Sequence, residues 1–485
     1  MILKRIFLLT VLTAMAVSMS GCGDSNNKNE SRSASRITAN TATENKRSNQ
    51  ELKDENNNSN TDEADSDMEL TADFRFVGTS GYPAVLKNNG DLYVWPAEIV
   101  ETDDGQWFDT TTTYELTYGE VDNAPYLILS DVKEFVSDLS CYYAITNDDT
   151  LYGWGSYYVG CGDFDGHLEP VKILDDVKTV GHCFAITNGG ELYVWGDNKT
   201  SSEEQPSPQK VLDNIKSFKQ NHIYENDTYV CMALTNDGDL YSWGTLSSDR
   251  GVEDGETYVP NYVMSGVRDY SPSEGFAGRP AVALTENDEL YIWGLFETSI
   301  DDGDIKLIDH GDLENAQRTP IKVMDNVKTL CTNKSVDSRF SDEIRFISND
   351  NKGYKFEKAD DSIILNHYLD DVAEIGNKNY YIKTDGTLVV YKVVYNNCKL
   401  GVVDNSDSII LIDEEEHKMR IANSSDSHSV IPKLDNVVDA GSYFAVTNDN
   451  KLYFWENDNG AYVHSRDGGG YYEQKVVGPV EISIP

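Results

Sequence analysis

Apolar and polar positions along this chain alternate in short bursts rather than at helical spacing. Four near-copies of one stretch show the pattern: "AITNDDTLYGWG" from 144, "AITNGGELYVWG" from 185, "ALTNDGDLYSWG" from 233 and "ALTENDELYIWG" from 283. Each has two runs rich in Val, Ile, Leu, Tyr and Trp around an Asn/Asp/Gly turn, which predicts a β-hairpin. Both faces of its second strand are apolar, with Leu192 and Val194 on one and Tyr193 and Trp195 on the other. A sheet with one wet face would alternate apolar with polar, so both faces are predicted to be covered by neighbouring sheets.

The hairpin recurs with its last aromatic at Trp95, Trp154, Trp195, Trp243, Trp293, Phe356, Tyr391 and Trp455, which makes eight copies. A possible ninth, "SIILIDEEEHKMRI" ending at Ile421, keeps the apolar pattern without aromatics. A second piece precedes the hairpins: "PVKILDDVKTVG" from 170, "PQKVLDNIKSF" from 208, "PIKVMDNVKTL" from 320 and "PKLDNVVDAG" from 432. The unit therefore has four strands: a Pro-led strand, an Asp/Asn turn, a short strand and the hairpin. Small sheets covered on both faces stack around an axis, so the fold class expected is an all-β propeller of about seven to nine four-stranded blades, eight by count. "ADFRFVG" near 72 matches the second strand of the unit and "GPVEISIP" at the end matches the first, so closure by pairing of N- and C-terminal strands is expected. Trp and Tyr that recur in every unit are predicted to pack between units.

Composition adds a location. Lys4 and Arg5 precede an apolar run from Ile6 to about Val17, too short to span a membrane comfortably, which predicts an export signal over 1–21. "MSGC" ends that segment and resembles the lipobox of bacterial lipoproteins, which implies diacylglycerol attachment at Cys22 and cleavage before it. Residues 22–69 are rich in Asn, Ser, Asp, Glu and Lys and almost free of aromatics, so they are expected to form a polar tether; the propeller is assigned to 70–485. The chain is accordingly expected outside the cytoplasm, a monomer touching the membrane through its lipid only. A formal net charge of −43 excludes the counterion-release chemistry of nucleic-acid binding.

The repeats themselves, most clearly "PVKILDDVKTVGHCFAITNGGELYVWGDN", resemble those of the regulator of chromosome condensation family. The resemblance implies a propeller that presents loops to another protein. It departs from the family in lacking the G-Q-L-G turn after the Trp-Gly, of which "GCG" at 160 is a faint echo. The nucleotide-exchange activity of the founding member is not implied, because an exported acylated chain would meet neither that partner nor chromatin.

Chemistry-bearing motifs are few. Eight scattered histidines show no metal-ligand spacing, and no nucleophile elbow, P-loop or dinucleotide fingerprint is present, so no catalytic residue, metal or cofactor is assigned. "DFDG" at 163 and "DDGD" at 301 lack a full calcium loop and read as turns. Cys141, Cys183 and Cys231 precede the hairpin Ala and read as small buried hydrophobes, ahead of disulfides or metal ligands. The non-repeating segments 96–123, 156–168, 197–207, 245–258, 294–318 and 456–477 occupy one position in the unit and should share one face. They carry Trp107, Phe108, Tyr114, Tyr157, Tyr158, Phe164, Tyr471 and Tyr472 among acids and glycines, the make-up of a recognition patch. The function expected is non-catalytic binding of a macromolecule, a protein first; the alternative is a glycan-binding module or polysaccharide-acting enzyme of the cell envelope.

Overall fold

The computed structural model describes residues 72–485 apart from 79–82, 96, 103–104, 111–124, 139–140, 156–158, 197–199, 201–202, 224–227, 273–279, 295, 302–303, 309–315, 332–343, 360–361, 377–379, 402–407, 424–430, 442, 459–461, 465–469 and 473–474. The described residues contain no helix and form nine antiparallel blades in a propeller ring. Blade 1 is Phe74–Phe76, Ala84–Lys87, Leu92–Val94 and Tyr126–Leu129; blade 2 is Val132–Asp138, Cys141–Thr146, Leu151–Gly155 and His167–Leu174. Blades 3, 4 and 5 begin at Val177, Ile215 and Val267 and repeat that order. Blade 6 (Val327–Leu369) is extended by the hairpin Glu297–Asp301/Asp304–Ile308, which pairs Leu307 with Ile363 on its outer strand. Blade 7 spans Val372–Tyr395, blade 8 Cys398–Asn423 and blade 9 Val437–Ile482.

The count is therefore nine, within the expected range but one above the eight strong hairpins. The extra blade is the hairpin without aromatics, Ser408–Asp413 paired with Met419–Asn423. Its strict alternation is enough: Ile409 and Leu411 pack on blade 7 while Ile410 and Ile412 pack on blade 9. Three of its strands are laddered among the described residues.

One apolar cluster fills each of the nine seams between blades, and together they explain the two-faced strands. In blade 3, Leu192 and Val194 face blade 4, whereas Trp195 faces blade 2. Trp95, Trp154, Trp195, Trp243, Trp293 and Trp455 are 0–2 % exposed, so their role is packing. Tyr93 is buried too, but the companion tyrosines of the other Trp-bearing blades are half-buried, and Tyr193 and Tyr291 donate to Glu191 (3.3 Å) and Glu289 (3.4 Å). Blade 7 departs from the pattern. Its Tyr391 (φ 48°) and Lys392 (φ 68°) form the tight turn between Leu388–Val390 and Val393–Tyr395, so Tyr391 packs in the seam with blade 8, and the ring that blade 7 gives to the blade 6 seam is the partly buried Tyr381. Among the described residues that seam is the thinnest, with Ile347, Val372 and Ile375 as its fully buried members.

Backbone turns set the spacing of the blades. The residue before each new blade takes a left-handed conformation at Asp131, Asp176, Asn214, Asn326, Asp371 and Asn436, which Asp and Asn tolerate and β-branched residues do not. The first amide of the new blade then donates to the previous hairpin turn, as in Val177 to Asp149 O (2.8 Å) and Val267 to Gly238 O (2.9 Å). Arg268 adds a side-chain strap, donating to Asp288 (2.6 Å) and to the Val327 and Lys328 carbonyls of blade 6 (2.8 and 2.9 Å).

Closure corrects the expectation of terminal strand pairing. The first strand, Phe74–Phe76, pairs within blade 1, and the last, Lys475–Ile482, pairs with Leu452–Asp458 inside blade 9. The Pro-led strand ends its blade rather than beginning it, so the core strands of each blade follow one another in sequence, and among the described residues no strand pairs across the seam between blades 9 and 1. Blades 9 and 1 are joined by rings instead. Phe76 stacks on Phe444 with centroids 4.1 Å apart and meets Phe454 edge-on at 5.8 Å, and Trp95 leans on Phe454 at 5.6 Å. The Asp73 amide donates to Asn450 Oδ1 and Asn450 Nδ2 returns to the Asp73 carboxylate, both at 2.7 Å.

Two measurements follow from this architecture. Phe76→Ala should cost about 3–5 kcal/mol in chemical denaturation of the full chain, against about 0.5–1.5 kcal/mol for Ile347→Val at the thin seam; equal losses would show that the aromatic seam does not close the ring. The hydroxyls of Thr146 and Thr447 donate to Asp148 and Asp449 (2.5 Å each) and hold both carboxyls below the usual carboxylate range. A depressed folded pKa stabilises above the unfolded value of about 3.9 and ceases to do so as pH falls through the folded value. Thr447→Val should therefore lower the melting temperature at neutral pH, with the difference from wild type shrinking below about pH 4.

Candidate functional site

In an antiparallel blade the first-to-second and third-to-fourth connections leave one end, while the central turn and the link to the next blade leave the other. The second end is the more regular: Thr side chains seal the turns of blades 3 and 4, with the Glu191 and Asp239 amides donating to Thr187 and Thr235 (3.0 and 2.9 Å), Ser348 does the same in blade 6, and Asn89, Asp385 and Asp413 accept from the turn amides of blades 1, 7 and 8. The first end carries the non-repeating segments. Their third-to-fourth connections range from the two-residue turn of blade 7 to the span between Val94 and Tyr126 in blade 1.

Several of the predicted aromatics fall on this loop-bearing rim, on adjacent blades. Trp107 and Phe108 lie on the strand Gly105–Thr110, opposite Val100 and Ile99, in a hairpin inserted in blade 1. That hairpin's first strand, Ala97–Thr102, contacts the outer strand of blade 2. Phe164 is 40 % exposed in the blade 2 loop, and Leu168, second residue of the outer strand, is 38 % exposed. Tyr471 and Tyr472 lie on Gly470–Tyr472, opposite Val463 and Tyr462, in a hairpin inserted in blade 9. Blades 9, 1 and 2 are consecutive around the ring, so these aromatics share one arc. Tyr114, Tyr157, Tyr158 and Cys22 lie outside the described residues.

The blade 2 loop also brings together three side chains that the spacing analysis passed over. Cys161 Sγ and Asp163 Oδ1 each lie 3.0 Å from His167 Nε2, and 3.5 Å from one another. The loop is firmly seated. Val159 is buried, Gly160 (φ 93°) lies against the Trp195 indole, and the Gly162 amide (φ 111°) donates to Pro206 O of blade 3 at 3.0 Å. His167 is fixed from the other side as the first residue of the outer strand, opposite Gly155. His167 holds the Asp163 carboxyl below its usual range, and burial pushes the Cys161 thiol up. Cys161 thus differs from Cys141, Cys183 and Cys231, which are buried as expected; all six described cysteines are free thiols. The sequence signal for the trio was Cys-x-Asp-x-x-x-His with glycines at 160, 162 and 166, in a segment that does not repeat.

No family model matches the chain, and no curated protein does. Solved structures to which it is similar include the Saccharomyces cerevisiae protein Prp20p, at 14 % identity and TM-score 0.37 over 60 % of this chain and 75 % of that one. Yeast RCC1 (Prp20), in a structure with Kap60 bound, is 15 % identical with TM-score 0.32 over 90 % and 91 %. Human WBSCR16 is 16 % identical with TM-score 0.33; the match takes in 51 % of this chain and 66 % of the human one.

The seating of the loop is testable at Gly160, where an added Cβ would lie 3.0 Å from the Trp195 ring on a left-handed backbone. Gly160→Ala should cost about 1–3 kcal/mol, read as a lower melting temperature of the full chain; an unchanged melting temperature would mean that the loop is not pinned there.

Proposed function

We propose that this chain is an exported lipoprotein, acylated at Cys22, whose propeller binds a macromolecular partner, most directly a protein, through the loop-bearing rim of blades 9, 1 and 2. The role in this reading is non-catalytic: the described residues of the rim offer recognition surface, and Cys161 and Asp163 meet one and the same nitrogen of His167 instead of flanking the ring as a nucleophile and its orienting carboxylate do. The observation that carries the proposal is the asymmetry of the two rims. One end repeats the same backbone turn in every blade but the eighth, while the other varies in length and sequence and exposes Phe164 and Leu168. A rigid ring that spends its variation on one end is suited to presenting a surface, and exposed aromatics among polar groups are the anchors such a surface uses. Export and anchoring rest on the short apolar leader and the "MSGC" that follows it.

Cross-linking on intact cells tests the binding proposal. Phe164→Ala in the full chain should abolish capture of the partner while stability stays within about 0.5 kcal/mol of wild type, as for other exposed positions. Undiminished capture would remove the blade 2 loop from the binding surface. Saturable binding of a defined polysaccharide on a glycan array, lost in the same variant, would establish the carbohydrate alternative.

A further inference from the structure

We propose that Cys161, Asp163 and His167 form a three-donor site for a divalent ion of the zinc class, with one coordination position left open. This goes beyond the binding proposal and does not depend on it. The separations of 3.0, 3.0 and 3.5 Å among Sγ, Nε2 and Oδ1 define a triangle whose corners lie about 1.9 Å from its centre, inside the roughly 2.0–2.3 Å bond lengths of zinc to oxygen, nitrogen and sulfur. An ion about 1 Å above the donor plane therefore has ordinary bond lengths to all three.

Ligand type selects the metal. A thiolate with an imidazole and one carboxylate is a soft-to-borderline set that suits zinc, whereas calcium takes six to eight oxygens. A nucleophilic triad is not what the geometry describes. In such a triad the carboxylate and the nucleophile hold opposite ring nitrogens, but here Asp163 and Cys161 both converge on Nε2 of His167. Convergence of three lone-pair carriers on one point is what a cation requires.

The scaffold supplies preorganisation. Cys161 is held between Gly160 on the Trp195 ring and Gly162 on the Pro206 carbonyl, and His167 is fixed by the first rung of the outer strand. Access is open as well: the Asp163 side chain is 49 % exposed and that of His167 26 %. Three protein donors facing solvent leave the fourth tetrahedral position to water or to a donor from a bound molecule.

Cobalt(II), an optical stand-in for zinc, tests the site in the purified full chain after chelator treatment. Wild type should bind one equivalent with an intense thiolate-to-cobalt charge-transfer band that zinc then bleaches. Cys161→Ser should abolish the band, and His167→Ala should weaken zinc binding by roughly 10–100-fold or more, since loss of a mere supporting partner already costs that much. The metal-free melting temperatures of both variants should match wild type, which separates a ligand from a structural residue. No thiolate band in wild type would overturn the site. So would a band of equal strength in Cys161→Ser, because another thiol of the chain would then be the source, and so would zinc affinity unchanged by His167→Ala.

Discussion

Everything in this molecule depends on sheets that are apolar on both faces. A single blade could not hide Leu192 and Val194 on one side and Trp195 on the other, so a blade is stable only between two others. That requirement repeats around the chain and has two outcomes, an endless stack or a ring. Twisted sheets packed at a constant angle close into a ring, and here nine of them do so. Interior tryptophan is the commonest filler, but Phe356 in blade 6 and the isoleucines of blade 8 show that alternation matters more than ring size.

Because the core strands of each blade follow one another along the chain, almost all strand pairing is local and every seam but one joins neighbours in sequence. Stability then resembles a sum of blade terms and nearest-neighbour terms, as in other repeat architectures. The links are short and fixed by left-handed Asp and Asn, so each blade arrives already oriented on the last. The loop-bearing rim inherits that rigidity: Gly160 and Gly162 rest on blade 3 rather than on their own loop, and this holds Cys161, Asp163 and His167 within 3.5 Å of one another.

Hairpin, turn and core were legible because the same physical demand is written eight or nine times. Blade 8 was legible as a pattern even without aromatics. Closure was misread for a reason inherent in tandem repeats: the Pro-led strand can be grouped with the hairpin before it or after it, and nothing in the periodicity chooses. The ladder from Leu452–Asp458 to Lys475–Ile482 does choose. Tyr391 was read as a strand aromatic because its side chain fits the pattern, whereas its backbone makes a turn. The Cys161 trio escaped notice because it occurs once, and its donors meet only after the loop has folded against Trp195 and Pro206.

The seam between blades 9 and 1 differs from its neighbours in kind. Blades 6 and 7, like blades 2 and 3, are spliced by a two-residue connection, which holds their faces at a very high effective concentration whatever fills the seam. Blades 9 and 1 have no such splice; they are separated by the whole length of the ring and must find and keep each other as two free surfaces would. Phe74, Phe76, Trp95, Phe444 and Phe454 crowd the one joint that covalent chemistry leaves open, which makes it in effect an internal protein–protein interface.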